Sequence, residues 1–316
     1  MIYLDANAIG RLSDQAALLA ALKKAFGSVA LQLSRAHYDL PQPGNVLLVM
    51  PSVDQRQVGV KLITVAPGRG RTGHPSVNGL YVLLDAETGD TVALLDAAAL
   101  TVVRTAAVGA LAASLLAPPD ARTMLMIGTG ALAEPLVRSH AAVRPLERVF
   151  IWGRDGRKAE AVATRLGGVV PRVEVIADLE RGVSSSHIVC SATNSSQPLV
   201  RGAWVTPGSY VSLIGSFAPD MRETDDALME RARLVVDTPD ALRESGDLIG
   251  PYQAGLLGPV KDLGELVRGG TPAEEKLRDI IAFKSVGVGM ADLAVAQLLL
   301  AAATEIRSKI LPIEIG

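Results

Sequence analysis

Met124-Leu125-Met126-Ile127-Gly128-Thr129-Gly130-Ala131-Leu132-Ala133 reads as an apolar strand that runs into a glycine turn and opens a helix, expected from Ala131 to about Val143. Such a turn aims free backbone N–H groups and the positive end of the helix at an anionic group such as a pyrophosphate. In that reading Gly128 allows the tight turn and Gly130 lets a phosphate approach the backbone. Ala131 and Leu132 begin the helix, and Ala133 takes the third small position, where helix and strand pack closely. A purely structural βα turn has the same local pattern, so the flanking sequence must decide. A second strand, Arg148 to Trp152, follows after one helix and ends at Gly153-Arg154-Asp155. Enzymes selective for NAD place an acidic residue at that strand end to accept the ribose hydroxyls. Here Arg154 stands there with Arg157 and Lys158 just beyond, and cations suit a 2′-phosphate. The expected cofactor is therefore NADP(H), with NAD(H) possible should Asp155 take the ribose. The alternative for this stretch is a solvated basic loop.

Outward from this centre, strands at 122–128, 148–152, 172–177, 187–192, 209–214 and 233–237 alternate with helices. That rhythm implies βαβ units and a parallel sheet covered on both faces. Upstream the pattern changes to short β-rich runs, Val46–Met50, Val58–Val65, Leu80–Asp85 and Thr91–Leu95, punctuated by Gly68, Gly70, Gly73 and a Thr88-Gly89-Asp90 hairpin signal. Residues 11 to 26 read as one amphipathic helix with Ser13 or Asp14 as its cap. Ala98 to Leu116 is an alanine-rich helix that stops at Pro118-Pro119, a natural domain boundary. The stretch from about Gly250 to Lys284 resists placement, Ala282 to Gly287 looks extended, and Met290 to Ser308 is a strongly apolar helix. A helix in that position often returns to the first domain. The expectation is an α/β protein: residues 118–288 as a Rossmann-type dinucleotide-binding domain, and 1–117 with 289–316 as a discontinuous α/β substrate-binding and dimerisation domain.

With 31 basic and 33 acidic residues, the chain offers no electrostatic case for nucleic acid or an anionic membrane surface. A single cysteine, Cys190, excludes internal disulfides and fits a reducing compartment. It sits in an apolar strand, where an inert thiol is expected. Four histidines show no metal-ligand spacing, so no metal is expected. The N-terminus lacks an apolar signal core, and the apolar run Leu293 to Ala303 contains Gln297 and is too short to span a bilayer. A soluble cytoplasmic protein is the expectation.

Several landmarks together resemble the ornithine cyclodeaminase/mu-crystallin family. They are Gly59-Val60-Lys61 with Thr64 and the glycine-rich loop after it; Leu94-Leu95-Asp96, Leu100-Thr101 and Arg104-Thr105-Ala106-Ala107; and Gly128-Thr129-Gly130. Ser191-Ala192-Thr193-Asn194, Gly215 to Glu223 and Phe283-Lys284-Ser285-Val286-Gly287 follow in family order. The resemblance implies a homodimer formed through the sheet of the discontinuous domain. It also implies that Lys61 and Arg104 hold a substrate carboxylate, Arg104 by a bidentate fork and Lys61 as a point charge. Arg35 matches a third cation. Thr193, Asn194 and Ser285 correspond to positions lining the cofactor. The residues themselves say less. An unpaired guanidinium in the apolar helix around Arg104 would be costly, as would an ammonium in the strand around Lys61. Arg35 could simply be solvated.

One departure bears on the reaction. Cyclodeaminases of this family carry an aspartate two residues after the glycine matching Gly215, thought to orient the water that attacks an imine. With Pro219 and Glu223 setting the register, that position holds Phe217. A phenyl ring can neither polarise water nor act as a base, and ordinary core packing is its other reading. The ketimine reductase branch resembles this chain in lacking the aspartate and in its Pro-Asp-x-Arg-Glu run, here Pro219 to Glu223. The resemblance therefore implies reduction of Δ1-pyrroline-2-carboxylate or Δ1-piperideine-2-carboxylate to L-proline or L-pipecolate. Arg104 and Lys61 would anchor the carboxylate, Phe217 would border the ring, and NADPH would supply hydride. Lys61 or an ordered water would protonate the nitrogen. Two alternatives stand beside it: ornithine cyclodeaminase or alanine dehydrogenase-like chemistry, and a non-catalytic NADPH- or ligand-binding protein.

Overall fold

The computed structural model describes residues 1–28, 33–66, 69, 76–269 and 279–310, the last four by backbone alone. The loop glycines Gly68, Gly70 and Gly73 lie outside the described residues. The fold is α/β and divides into two compact units, Met1–Arg104 with Val288–Gly316, and Thr105–Gly287. The division falls inside a helix, α3 (Ala97–Leu116), ahead of the proline pair at 118 and 119. Prolines stop a helix because they lack the N–H it needs, but they do not set where chain contacts change partner.

In unit 1 a six-stranded sheet has the order β1-β6-β5-β4-β3-β2. Its strands are β1 (Ile2–Leu4), β2 (Ala36–Asp39), β3 (Val46–Val53), β4 (Gln57–Val65), β5 (Val77–Asp85) and β6 (Thr91–Asp96). β1 pairs parallel to β6, and the other neighbours are antiparallel. Strand periodicity is two, so on β4 Gly59, Lys61, Ile63 and Val65 face inward while Val60, Leu62 and Thr64 face out. Gly59 is required there: an added Cβ would sit 1.8 Å from the Tyr81 hydroxyl. α11 (Gly289–Ile310) packs on β3 and β4, α2 (Gln15–Gly27) packs on α11, and α1 (Ala6–Leu12) lies against β1 and β6.

The helix expected over 11–26 is α2, with Asp14 as its cap, while residues 11 and 12 end the separate helix α1. Asp5 caps α1 by accepting from Ala8 N at 2.7 Å, and Asp14 caps α2 by accepting from Ala17 N at 2.8 Å. Each short polar side chain satisfies an N–H that has no partner within its own helix. Among the described residues, two helices, Ala97–Leu116 and the Gly289–Ile306 part of α11, are by length and composition apolar enough to cross a membrane. α11 outruns the apolar stretch from Leu293 to Ala303, yet it packs on the sheet of unit 1 and carries a fully buried aspartate.

Unit 2 holds an eight-stranded, all-parallel sheet of order β13-β12-β14-β11-β10-β7-β8-β9. The strands are β7 (Thr123–Ile127), β8 (Arg148–Trp152), β9 (Arg172–Val175), β10 (Ile188–Ser191), β11 (Tyr210–Leu213), β12 (Ala232–Val236), β13 (Lys261–Asp262) and β14 (Ile280–Lys284). The chain runs outward from β7 through β8 and β9 on one side, and through β10 and β11 on the other. This is the doubly wound arrangement, whose ligand crevice lies at the carboxyl ends where the order reverses, between β7 and β10. β14, the last strand in sequence, inserts between β11 and β12. Between these strands lie α6 (Leu179–Ser184), α7 (Asp226–Arg231) and α8 (Ala241–Glu244), and the unplaced stretch from about Gly250 to Lys284 holds the end of α9 (Gly246–Gln253), β13, α10 (Leu263–Gly269) and β14. Cys190 is fully buried and burial pushes its thiol up, so it is an inert core residue.

Candidate active site

Unit 1 contains a buried charge centre. Lys61 is turned inward by the strand period, opposite Tyr81 on β5 and Met50 on β3. Its ammonium meets Asp292 in the first turn of α11, with Nζ 2.6 Å from Oδ2. The other carboxylate oxygen accepts from Arg104 Nε on α3 at 2.9 Å. Lys61 and Asp292 are fully buried and Arg104 is nearly so. An anion in the first turn of a helix also gains from the helix dipole. Burial pushes Lys61 down to about 8; Arg104 adds to the fall, Asp292 opposes it, and Arg35 contributes a further decrease. Arg35 is half-buried and within electrostatic reach of Lys61, so the structure gathers all three expected cations.

Asp292 changes the chemistry of this group. It gives Lys61 and Arg104 a buried counter-ion, and two cations against one carboxylate leave a surplus positive charge. Arg104 meets Asp292 through Nε alone, and its terminal nitrogens carry no hydrogen bond among the described residues. The guanidinium end therefore remains for a second carboxylate in the fork geometry that arginine favours. Sequence reasoning missed Asp292. The available signal was a lone acid in an apolar helix, the same cost argument that singled out Arg104.

In unit 2 the glycine turn has the geometry its sequence implies. Gly128 has φ +114°, and an added Cβ would lie 2.5 Å from the Ala192 carbonyl at the end of β10. A Cβ at Gly130 would meet nothing within 4 Å, so that face of the backbone is open. The helix α4 (Ala133–Ala141) starts two residues later than expected, because Ala131 and Leu132 form the turn. Leu132 is its N-cap and offers no side-chain acceptor. The residues present thus fit a pyrophosphate, with unclaimed N–H groups at a helix start beside a glycine that admits close approach.

At the end of β8, Gly153 packs on Thr129, where a Cβ would come within 2.6 Å of the threonine methyl. Arg154 is exposed. Asp155 caps the helix α5 (Gly156–Arg165), accepting from Arg157 N at 3.0 Å, and its carboxylate lies 3.7 Å from Arg157 Nε. Asp155, the acid expected to take a ribose in NAD-selective enzymes, is engaged with its own helix, and Arg157 beside it is exposed.

The remaining cofactor candidates sit at the carboxyl ends of neighbouring strands. Thr193 donates through both its N–H and its hydroxyl to Glu223, at 2.7 and 2.9 Å, and Asn194 beside it is exposed. Ser285 follows β14 and donates its hydroxyl to Asp237 at 2.7 Å, a carboxylate that also accepts from Gly287 N. Phe217 is half-buried and packs against the apolar core of unit 2.

A switch-point glycine turn in unit 2 and a buried, cation-rich carboxylate centre in unit 1 fit one class, the nicotinamide dinucleotide-dependent oxidoreductases. Residues 4–306 match the model of the ornithine cyclodeaminase/mu-crystallin family. The chain belongs to that family. It is 36% identical over 276 residues to the Protein SAR DEFICIENT 4 of Arabidopsis thaliana, covering 84% of this chain and 85% of the relative. It is 38% identical over 261 residues to a Δ1-pyrroline-2-carboxylate reductase of Paracoccus denitrificans, covering 81% and 83%. Among solved structures, the Δ1-pyrroline-2-carboxylate reductase of Thermococcus litoralis, in complex with NADH and L-proline, superposes with a TM-score of 0.92 at 27% identity, covering 97% of this chain and 98% of that one.

Proposed function

We propose that this protein reduces small cyclic imino acids, Δ1-pyrroline-2-carboxylate and Δ1-piperideine-2-carboxylate, to L-proline and L-pipecolate, with NADPH preferred over NADH. The observation that carries the reading is the Lys61–Asp292–Arg104 centre, whose surplus positive charge and free guanidinium end suit one carboxylate on a small ring. Arg104 orients that carboxylate and Lys61 adds a second charge, with Arg35 close by. Lys61, brought to about 8 by its surroundings, is able both to hold a proton and to release it to an imine nitrogen. By sequence register Phe217 takes the position of the cyclodeaminases' aspartate, and a phenyl ring cannot activate water, which favours reduction over cyclodeamination. A reduced nicotinamide bound to unit 2 supplies the hydride. The reductases named above, one of them with NADH and L-proline bound, support the same substrate class.

Homodimerisation through the outer sheet face of unit 1 and residence in the cytoplasm belong to this reading. The outer face presents Leu62 on β4 and Leu80 on β5, 40% and 41% exposed in the single chain, and a second copy would cover them.

The test is turnover. Purified protein with NADPH or NADH and each imino acid should consume reduced cofactor, followed by absorbance; no turnover on either ring would end the proposal. Proline formed from ornithine with catalytic NAD would instead establish cyclodeamination, and tight NADPH binding without turnover on any imine or oxo acid would establish a binding protein. The cofactor preference has its own check. Arg154→Asp should move the ratio of kcat/KM for NADPH over NADH towards NADH by about tenfold or more, through loss of a phosphate partner and gain of a ribose acceptor. An unchanged ratio would place the phosphate on Arg157 or Lys158.

A further inference from the structure

Unit 2 buries three ionisable side chains that the reaction above does not use: Glu223, Asp247 and Lys284 are all fully buried. Lys284 Nζ lies 3.2 Å from Asp247 Oδ2 and 4.0 Å from Glu223 Oε2. Asp247 Oδ1 accepts from the backbone N–H groups of Glu223 and Thr224, at 2.7 and 3.0 Å. Glu223 in turn gathers donors from two strand ends. Its Oε1 accepts from Ser191 Oγ at 2.5 Å, Thr193 N at 2.7 Å and Thr193 Oγ1 at 2.9 Å, all at the end of β10. Its Oε2 accepts from Gly215 N at 2.6 Å, just beyond β11. The two loops touch so closely that a Cβ on Gly215 would lie 2.0 Å from the Thr193 carbonyl oxygen.

Burial raises the Glu223 carboxyl on balance and Asp247 adds to the rise, while Lys284 and the short hydrogen bonds from Ser191 and Gly215 pull it down. Burying three ionisable groups where apolar side chains would pack is costly and is weak evidence for stability as such. Its placement is informative. In a doubly wound sheet the glycine turn after β7 takes the pyrophosphate and the end of β8 the adenosine ribose, so the second half of the dinucleotide lies over the carboxyl ends of β10 and β11. Those are the ends that Glu223 holds together.

We propose that Glu223, held by Lys284 and Asp247, is a positioning residue for the nicotinamide half of the dinucleotide: it clasps the loops after β10 and β11 in one register and leaves the adenosine half to β7 and β8. The inference rests on dinucleotide binding by unit 2, as proposed above.

Equilibrium titration of the full chain separates the two ideas. NADPH and NADH serve as whole cofactors, and adenosine 2′,5′-bisphosphate and AMP as fragments that lack the nicotinamide half. Glu223→Gln keeps the shape but puts an amide donor against N–H groups, and it should raise the Kd of the whole cofactor on the order of tenfold. The Kd of the matching fragment should stay within about twofold. Ser191→Ala removes one donor at little cost to folding and should shift the same way, by about threefold; it carries the test should the first variant not fold. A variant that lowers Tm while leaving both affinities intact, or that weakens fragment and whole cofactor equally, would overturn the positioning role. Wild-type protein that binds no dinucleotide would overturn the functional reading itself.

Discussion

Asp292→Ala is expected to cost about 3–5 kcal/mol of stability, because it strands Lys61 and Arg104 as buried cations without a counter-ion. The loss would be read from the urea transition of the purified chain. The milder Asp292→Asn keeps the volume and isolates the charge, and its signature is a pH dependence. In the parent protein Lys61 holds its proton below about 8 and loses it as pH rises through that value. Affinity for a carboxylate ligand such as pyrrole-2-carboxylate, which does not itself titrate in this range, should therefore be flat below about 8 and fall above it. Asp292 is one of the influences that raise the Lys61 value. Removing its charge should move the fall in affinity to lower pH. An unchanged profile together with unchanged stability would show that the aspartate does not govern the centre.

Arg104→Ala should lower kcat/KM for the imino acid by about 2–4 kcal/mol equivalent, roughly 30- to 1000-fold, the loss expected for a buried charge-assisted contact to substrate. The size of the effect follows from what Arg104 does twice over. Its Nε completes the bond to Asp292, and its free end provides the planar fork that a carboxylate fits. Arg104→Lys should recover little, since an ammonium cannot make both contacts from one stem. A kcat/KM equal to that of the parent would remove Arg104 from the site and with it the main support for an anionic ring substrate.

The half of the molecule that follows the glycine turn was legible because its signals are local. β8 begins and ends where the sequence predicts, at Arg148 and Trp152, and β7, β10 and β11 agree to within a residue or two. Each is a short apolar run bounded by turn residues, and a buried parallel strand needs no partner information to be recognised. Lys61 and Arg104 were legible for a related reason: a cation in an apolar strand or helix is too costly to be incidental. Asp14 was legible as the cap of α2, whereas the seven-residue helix α1 and its cap Asp5 went unread, because so short a segment carries too little periodicity.

The chain alone determined the α/β class, the parallel βαβ repeat after the proline pair, the glycine turn at Gly128 and Gly130, and the presence of buried cations, since each follows from periodicity or from the cost of burying charge within a few residues. Tertiary structure alone decided who partners whom. Asp292 meets Lys61 across 231 residues of sequence and Arg104 across 188, and no local pattern records which acid a distant cation will face. β14 slips between β11 and β12, and so brings Lys284 to Glu223 and Asp247. Apolar burial is non-directional and can be read as a pattern along the chain, whereas an ion pair exists only at a particular distance, which the folded backbone sets.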